Sequence, residues 1–499
     1  MNSLKKLAGQ TAVYGVSSIL GRMLNYLLVP LYTRVFTTEQ YGVVTEMYAY
    51  VAFLIIILTY GMETAFFRFS SASDNKNKVY STALISLITT SLLFICLAAI
   101  FSQPIANWLR YPNHTEYVTW FAIIVGLDAL SAIPLARLRE LGKAKLFATV
   151  NIISIFVNIG LNLFFLVYCR HIYEVHGENS NWLVQSFYNH EIGVGYVFIS
   201  NLVASIVKAA LLSPYMVNIR LSFSVPLVKK MLWYSSPLLI AGLAGIVNEA
   251  IDRIMIKRLL MDVMGEKATL ELLGIYGACY KVSIIIAIFI QAFRFAAEPF
   301  FFAQQKEENA QKTYADVMKY FVIICSFIFL GIMMYIDVVM LFVGKDFREG
   351  VTVVPILLLA NLCLGIYFNL SIWYKLTGKT RYGAYIAIFG AIITLVLNYI
   401  WIPSIGYFGG YIGPAWATLI CYFSMMIVSY FLGKKHFPVN YDLKRIIGYT
   451  GLAIGLYFIS TYINMGLQGY SILINTLILL IFVSVVFFVE RGGKFKISV

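Results

Sequence analysis

Residues 383–403, GAYIAIFGAIITLVLNYIWIP, and residues 409–431, GGYIGPAWATLICYFSMMIVSYF, decide the fold class. Neither block contains Asp, Glu, Lys or Arg. Each is long enough for an α-helix that crosses the hydrocarbon core of a bilayer, which takes about 20 apolar residues. Because only Ser-Ile-Gly-Tyr-Phe separates the two blocks, they must be antiparallel neighbours. This stretch therefore predicts a helical hairpin in a membrane.

The same pattern of apolar blocks extends over the whole chain of 499 residues. Of these residues, 60% are hydrophobic and 12% are charged, about half the charge of a soluble domain. This composition excludes an ordinary soluble enzyme, a disordered protein and a secreted disulfide scaffold. The sequence predicts an all-α membrane protein with about 14 transmembrane helices. The predicted spans are residues 8–29, 42–66, 80–102, 116–136, 147–168, 192–213, 232–256, 272–296, 317–340, 351–373, 383–403, 409–431, 447–465 and 471–489.

Basic residues orient the spans, because cytoplasmic loops of membrane proteins carry an excess of Lys and Arg. With the amino terminus inside, the predicted cytoplasmic segments hold 25 basic residues and the predicted outer segments hold 8. Lys257 and Arg258 are counted among the outer ones. The bias predicts that both termini are cytoplasmic. The net charge of +14 is explained by the same loops, so nucleic acid is not an expected partner.

Four sequence matches at nearly constant separation indicate an internal duplication. A polar stripe in span 1 matches one in span 7 at a separation of 227 residues, and further matches lie at separations of 234, 235 and 236 residues. Such repeats are common in transporters. They predict two six-helix, pseudo-symmetric lobes around a central cavity, at residues 1–221 and 222–440. Residues 441–499 add spans 13 and 14 and a short cytoplasmic tail.

No catalytic motif or metal-ligand spacing accompanies these spans. All five histidines lie in predicted loops, and five of the six cysteines lie in apolar blocks. We therefore expect a transporter with no cofactor and no metal, not an enzyme. The enzyme alternative, a membrane polysaccharide polymerase or ligase, would need a large outer catalytic loop and would not show the two-copy pattern.

Ionisable residues within the spans are the candidate site, because charges in a bilayer are expensive and usually face a cavity or a partner. Arg22 and Asn25 belong to the polar stripe of span 1, and Glu249 and Asp252 belong to that of span 7. Both stripes are predicted to line the central cavity. The two carboxylates, one turn apart, are candidates for coupling to H⁺ or Na⁺. Lys208 lies near the cytoplasmic end of span 6, where its side chain reaches the interface, and has no predicted role.

Structural pairing is the alternative for several of these charges. Glu249 has Arg253 four residues on, at the spacing of an intrahelical pair. Arg22 has Glu46 or Glu249 as a scaffold partner. For Arg294, a pair with the carboxylate four residues on is the favoured interpretation.

The opening stretch, LAGQTAVYGVSSILGRMLNYLLVPLYTRVFTTEQYGVVTEMYAY at residues 7–50, resembles that of bacterial polysaccharide-biosynthesis flippases. The segments RLRELGKAKLF at 137–147, GKTRYG at 378–383 and GYIGPAWAT at 410–418 are similar to theirs as well. The resemblance covers about residues 1–440, and spans 13 and 14 match the fourteen-helix members. It implies the multidrug/oligosaccharidyl-lipid/polysaccharide exporter fold (the MOP or MATE-like fold).

The resemblance also implies a function. Members move undecaprenyl-pyrophosphate-linked oligosaccharide from the cytoplasmic to the outer leaflet of the bacterial cytoplasmic membrane, by ion-coupled alternating access through a basic cavity. By position, Arg22 and Arg34 are the motif arginines, whereas Glu249 and Asp252 make this cavity less cationic. The candidate substrate-binding residues are Arg22, Asn25, Arg34, Glu46, Arg253, Lys281 and Arg294.

The resulting hypothesis is a flippase for O-antigen, capsule or exopolysaccharide synthesis. A lipid II flippase of peptidoglycan synthesis and a drug/cation antiporter of the same fold are the alternatives. The expected partners are a polyprenyl-pyrophosphate-linked glycan and the lipid bilayer. A polysaccharide polymerase and glycosyltransferases are further candidate partners.

Overall fold

The computed structural model describes residues 19–21, 23–177, 180–217, 222–305, 307–404, 406, 409–466 and 471–494. Across these ranges the regular structure is helical and contains no strand. The α-helices are α1 Val29–Val35, α2 Thr38–Thr59, α3 Met62–Ser71, α4 Lys76–Ile100, α5 Ser102–Trp108, α6 Thr115–Glu140, α7 Ala144–Leu163, α8 Arg170–His176, α9 Trp182–Phe187, α10 Gly195–Val217, α11 Val225–Met264, α12 Glu266–Gln304, α13 Ala310–Met334, α14 Ile336–Val339, α15 Val353–Leu370, α16 Ile372–Leu376, α17 Arg381–Trp401, α18 Ile412–His436, α19 Leu443–Gly466 and α20 Ser471–Lys494.

Twelve helical segments in the described part of the chain are long and apolar enough to cross a membrane. They confirm an all-α membrane fold and coincide with twelve of the predicted spans. Of the other two, span 1 lies mostly outside the described residues. Span 7 is observed as α11, a helix of 40 residues, which is not among the twelve.

The second span shows how local sequence sets helix ends. It begins with a capping box, in which Thr37 and Gln40 each accept a hydrogen bond from the other's backbone N–H at 3.2 Å. The sequence predicted one continuous helix over 42–66, but α2 and α3 are separated at Tyr60 and Gly61. Both residues have left-handed backbone angles, with φ of 35° and 69°, which interrupt the helical hydrogen-bond pattern. A Cβ on Gly61 would lie 3.3 Å from the Cβ of Ser235 in α11, so glycine permits both the turn and the close approach.

Packing divides the chain into two units. The first comprises Met1–Arg258 and Gly265–Gly274, and the second comprises Leu259–Met264 and Ile275–Val499. The predicted lobe boundaries, at residues 221 and 440, follow the internal repeat and stay a prediction.

In the first unit, α6 packs against α2, α4 and α10, and α10 also packs against α7. A core of fully buried side chains, including Met62, Phe66, Leu87 and Ile133, joins α3, α4 and α6. These contacts fix the rotation of α6, α7 and α10, and so decide which polar side chains of these helices face one another.

In the second unit, α18 packs against α15 and α17, and α13 packs against α19 and α20. The last two helices are predicted spans 13 and 14. Asn475 of α20 ties them to α13, because its amide donates to the Met334 carbonyl at 2.5 Å and accepts from Ser460 at 2.7 Å. Spans 13 and 14 are therefore attached to one helix of the second unit by buried hydrogen bonds.

Candidate functional site

The polar stripe predicted for span 1 is described only in part, because Arg22 lies outside the described residues. Asn25 of the same stripe is exposed. Its side-chain oxygen accepts a hydrogen bond from Asn158 Nδ2 of α7 at 3.3 Å. The structure thus places Asn25 beside the asparagine-bearing face of α7.

A polar cavity of about 320 Å³ lies beside this contact in the first unit. Its volume falls at the lower end of the range of about 300–1,000 Å³ found for ligand pockets. Amides and hydroxyls dominate its polar lining. The polar residues that line it are Asn25, Asp128, Asn151, Ser154, Asn158, Asn201, Ser205 and Lys208.

The charges in this cavity are paired with each other. Lys208 Nζ donates to Asp128 Oδ1 at 2.6 Å, and Ser205 Oγ donates to the same oxygen at 3.1 Å. The side chains of the pair are 19% and 29% exposed. Lys208, for which the sequence predicts no role, lines the cavity, and the Asp128 carboxylate on α6 holds its ammonium group there. The pair leaves the cavity polar and close to neutral.

Hydrogen bonds orient two asparagines of the cavity, Asn151 and Asn201. Asn151 Nδ2 donates to the Phe147 carbonyl at 2.9 Å, and Asn201 Nδ2 donates to Tyr48 Oη at 3.0 Å. An asparagine amide carries two donor hydrogens and an acceptor oxygen. These bonds orient the amides while each keeps further capacity to donate and accept.

A second charged cluster surrounds Glu46 of α2, whose side chain is 0% exposed. Lys257 Nζ of α11 donates to Glu46 Oε2 at 2.8 Å, and Tyr111 Oη donates to the same oxygen at 2.5 Å. Burial, reinforced by the Glu46 charge, raises the pKa of Tyr111 well above its usual range, so this phenol remains a donor. The sequence offered Arg22 as a scaffold partner for Glu46 and counted Lys257 among the outer segments. The structure places Lys257 within α11 and buries its ammonium group against α2. Arg22 lies outside the described residues, so its pairing with Glu46 stays a prediction.

The two carboxylates predicted to couple transport to an ion lie in different surroundings. Asp252 is 3% exposed, and its Oδ1 lies 3.2 Å from Arg253 Nη1. Arg253 also donates to the backbone carbonyl of Glu249, and the predicted pairing of their side-chain charges stays a prediction. The Glu249 side chain is exposed. Arg253 thus balances Asp252, and the mutual repulsion expected of two adjacent carboxylates is reduced.

Arg294 of α12 takes part in the intrahelical pair that the sequence favoured. Its Nη2 lies 3.7 Å from Glu298 Oε1, and its guanidinium lies over the Phe368 ring at 3.8 Å. Lys375 reaches the same carboxylate at 2.5 Å. The pair on α12 is confirmed, and the structure adds a second cation to it.

The remaining candidates, Arg34 and Lys281, lie apart from the cavity lining described above. Arg34 is exposed at the end of α1 and donates to the Pro30 carbonyl at 2.9 Å. Lys281 is half-buried on α12. Their roles in binding stay predictions.

Sequence reasoning missed three contributors to these clusters. Lys257 was assigned to a loop because it follows directly after the predicted end of span 7. Asp128 and Lys208 are 80 positions apart. The only sequence signal for the pair is that each is a charged residue within an apolar span, Asp128 in span 4 and Lys208 in span 6. In the described ranges, no group of three or more His, Cys, Asp or Glu side chains is arranged to hold a metal ion.

The family model described as "polysaccharide biosynthesis protein" matches residues 7–305, more than half of the chain. The chain belongs to the polysaccharide biosynthesis protein family. No curated protein sequence matches the chain.

Solved structures show the fold. The chain is similar to the lipid II flippase MurJ in an inward closed conformation, with a TM-score of 0.71 and 15% identity over 95% of this chain and 99% of that one. It is also similar to an inward-facing multidrug resistance MATE family transporter of the MOP superfamily, with a TM-score of 0.64 and 14% identity over 83% of this chain and 93% of that one. The fold is therefore the MOP fold, and these fold neighbours are a flippase and a transporter.

Proposed function

We propose that this member of the family is a flippase for undecaprenyl-pyrophosphate-linked oligosaccharide repeat units. It carries them from the cytoplasmic to the outer leaflet of the bacterial cytoplasmic membrane by alternating access, for O-antigen, capsule or exopolysaccharide synthesis. The family and the fold support transport of a lipid-linked polysaccharide precursor. The observation that carries the finer proposal is the amide-lined, charge-neutral cavity between α6, α7 and α10.

The chemistry of this cavity suits a glycan. Sugar hydroxyls both donate and accept hydrogen bonds, as the asparagine amides and the hydroxyls of Ser154 and Ser205 do. The Asp128–Lys208 pair offers a sugar both an acceptor and a donor. Because each charge already has a partner at 2.6 Å, the cavity favours a neutral polyol over an ion.

This neutrality favours the flippase over the drug/cation antiporter. An organic cation would bind most strongly to a carboxylate that has no other cation beside it. In this cavity the Asp128 carboxylate is already paired with the Lys208 ammonium group. The fold likeness to MurJ keeps lipid II as the second candidate lipid-linked substrate. Both substrates present sugar hydroxyls to the cavity, so the two functions differ in the glycan and not in the class of transport.

The pyrophosphate and the driving ion complete the proposal. Guanidinium groups suit pyrophosphate because they donate in bidentate fashion, so Arg22 and Arg34 remain the proposed head-group ligands. Coupling to H⁺ or Na⁺ is proposed for Glu249, since Arg253 balances Asp252. A polysaccharide polymerase and glycosyltransferases are proposed as partners in the same pathway.

The test is to delete the gene and measure on which leaflet the undecaprenyl-linked glycans accumulate. We expect accumulation on the cytoplasmic leaflet and loss of surface polysaccharide, both restored by the wild-type chain. Normal surface polysaccharide after deletion would contradict the proposal. Lethality rescued by a known lipid II flippase would identify lipid II as the substrate.

The cavity itself is tested by the double variant Asn151→Leu/Asn158→Leu. We expect glycan export to fall at least tenfold at equal protein level, because two hydroxyl-binding amides are removed. Asn369→Leu is the matched control: it also donates to the carbonyl four residues earlier, at 3.1 Å, but does not line this cavity. Equal export by the double variant and the control would remove the cavity from the transport path.

A further inference from the structure

The Glu46 cluster contains a buried lysine with three close partners. Lys257 Nζ donates to Glu46 Oε2 at 2.8 Å and to the Leu109 carbonyl at 2.9 Å. It also lies 3.4 Å from the centre of the Tyr111 ring. With a side chain only 2% exposed, this ammonium group has exchanged its water shell for partners from α2 and from the segment that follows α5.

The next residue continues the same junction. The Arg258 guanidinium stacks on the Trp108 ring at 4.1 Å, and its Nη2 lies 3.5 Å from Tyr50 Oη. The carboxyl-terminal part of α11 is thus fixed to α2 and to the end of α5 by two consecutive cations. All of these residues belong to the first packing unit.

Backbone packing reinforces the junction where α12 begins. A Cβ on Gly274 of α12 would lie 1.9 Å from the Thr38 carbonyl oxygen, and a Cβ on Gly42 of α2 would lie 2.1 Å from the Leu270 carbonyl oxygen. Only glycine permits so close an approach of two backbones. The two glycines are reciprocal, so α2 and the first turns of α12 meet along their backbones.

This junction joins helices that belong to different predicted repeats. Helix α2 is span 2 of the first predicted repeat, while α11 and α12 are spans 7 and 8 of the second. The charge bias places residues 109–114 and the end of α11 on the predicted outer side. Alternating access between the repeats requires these helices to separate on that side when the outer path opens.

A buried ion pair suits a contact that must form and break. Its attraction is largely offset by the cost of removing both charges from water, so separating the pair into water changes the free energy little. Loss of one partner differs, because the charge left behind is buried without compensation and gains hydration when the junction opens. Single variants should therefore favour the open junction, and removal of both charges should not.

We propose that Glu46, Tyr111 and Lys257 form an outer latch, which holds the predicted repeats together on the outer side and opens as the lipid-linked glycan leaves. This inference rests on the proposed function for the identity of the cargo, but the latch is measured without any substrate.

The experiment uses Thr269→Cys in α12 as a reporter. Thr269 is 0% exposed and lies one turn into the helix, and cysteine is close to it in size. The rate of maleimide labelling is measured in purified protein, with the labelling of the six native cysteines subtracted by means of the parent chain. Ser235→Cys, at a 1% exposed position elsewhere on α11, reports general loosening.

We expect Lys257→Met to raise the labelling rate of the Thr269→Cys reporter at least tenfold while the Ser235→Cys reporter changes less than twofold. Glu46→Gln, which keeps the shape of the side chain, gives the same test if Lys257→Met does not express. Glu46→Leu/Lys257→Met should return labelling towards the parent value.

Unchanged labelling of the Thr269→Cys reporter, or an equal rise at both reporters, would overturn the latch. Either result leaves the proposed flippase function standing. Normal labelling behaviour in a chain that exports no glycan would instead contradict the function and leave the latch standing.

Discussion

The ion pair between Glu46 and Lys257 makes a quantitative prediction about stability. The two charges lie 2.8 Å apart, which at an effective dielectric constant of about 20 gives an attraction of about 6 kcal/mol. Burial costs several kcal/mol per ion, so the intact pair contributes little net stability. Lys257→Met leaves the 0% exposed Glu46 carboxylate without its counter-ion. We expect the free energy of unfolding to fall by about 3–5 kcal/mol, the usual effect of breaking a buried pair.

The double variant Glu46→Leu/Lys257→Met should behave differently. It removes both charges and leaves the Tyr111 hydroxyl and the Leu109 carbonyl with one hydrogen bond fewer each. Losing one such bond costs about 1–3 kcal/mol, and the bond to the Leu109 carbonyl is already lost in Lys257→Met. The double variant should therefore be more stable than Lys257→Met alone, although it carries one more substitution.

The measurement is unfolding by SDS in mixed micelles, followed by tryptophan fluorescence. Glu174→Gln is the control, because the pair of Glu174 with Arg170 lies at 2.7 Å but is 52% and 35% exposed, and exposed pairs contribute at most about 1 kcal/mol. The single variant Glu46→Leu completes the cycle. If the losses in Lys257→Met and Glu46→Leu simply add in the double variant, the two charges do not interact and the reasoning is wrong.

Four further substitutions test packing and pairing in both units. Gly274→Ala should destabilise the protein by about 1–3 kcal/mol, because its Cβ would lie 1.9 Å from a backbone oxygen. Gly331→Ala should instead stabilise its helix by about 0.5–1 kcal/mol, because a Cβ there meets no neighbouring atom within 4 Å. Equal effects of the two substitutions on the melting temperature would contradict both predictions. Phe66→Ala empties a 0% exposed core position and should cost about 3–5 kcal/mol in SDS unfolding. Glu490→Gln removes the carboxylate that lies 2.8 Å from the 8% exposed Lys319, and it should lower the free energy of unfolding by about 1.5–3 kcal/mol. We expect α20 to be cleaved by protease sooner than in the parent chain. An unchanged proteolytic pattern would show that the pair does not hold that helix.

Much of this fold is determined by short stretches of consecutive residues. Each membrane span depends on about 20 consecutive apolar residues, whose backbone must satisfy its hydrogen bonds within the same helix. That is why twelve predicted spans coincide with helices of the structure. The Arg294–Glu298 pair was predictable for the same reason, since residues four apart on a helix are neighbours.

The break inside span 2 was not predictable from hydropathy. Apolar residues run through Tyr60 and Gly61 without a gap, and a hydropathy pattern does not report backbone angles. At this left-handed turn α11 also packs closely, since a Cβ on Gly61 would lie 3.3 Å from the Cβ of Ser235. Both the backbone angles and this contact are features of the tertiary structure that hydropathy does not report.

The sequence by itself determined the membrane class, the spans and the family, because these depend on composition, local periodicity and short motifs. It also identified most of the charges that lie within helices. Only the tertiary structure decided their partners: Glu46 meets Lys257 across 211 positions, and Asp128 meets Lys208 across 80. The physical reason is that a pairing between helices depends on how each helix is rotated and how far it slides against its neighbour. Those two quantities are set by the packing of many side chains together, such as the core around Phe66, and by no single span.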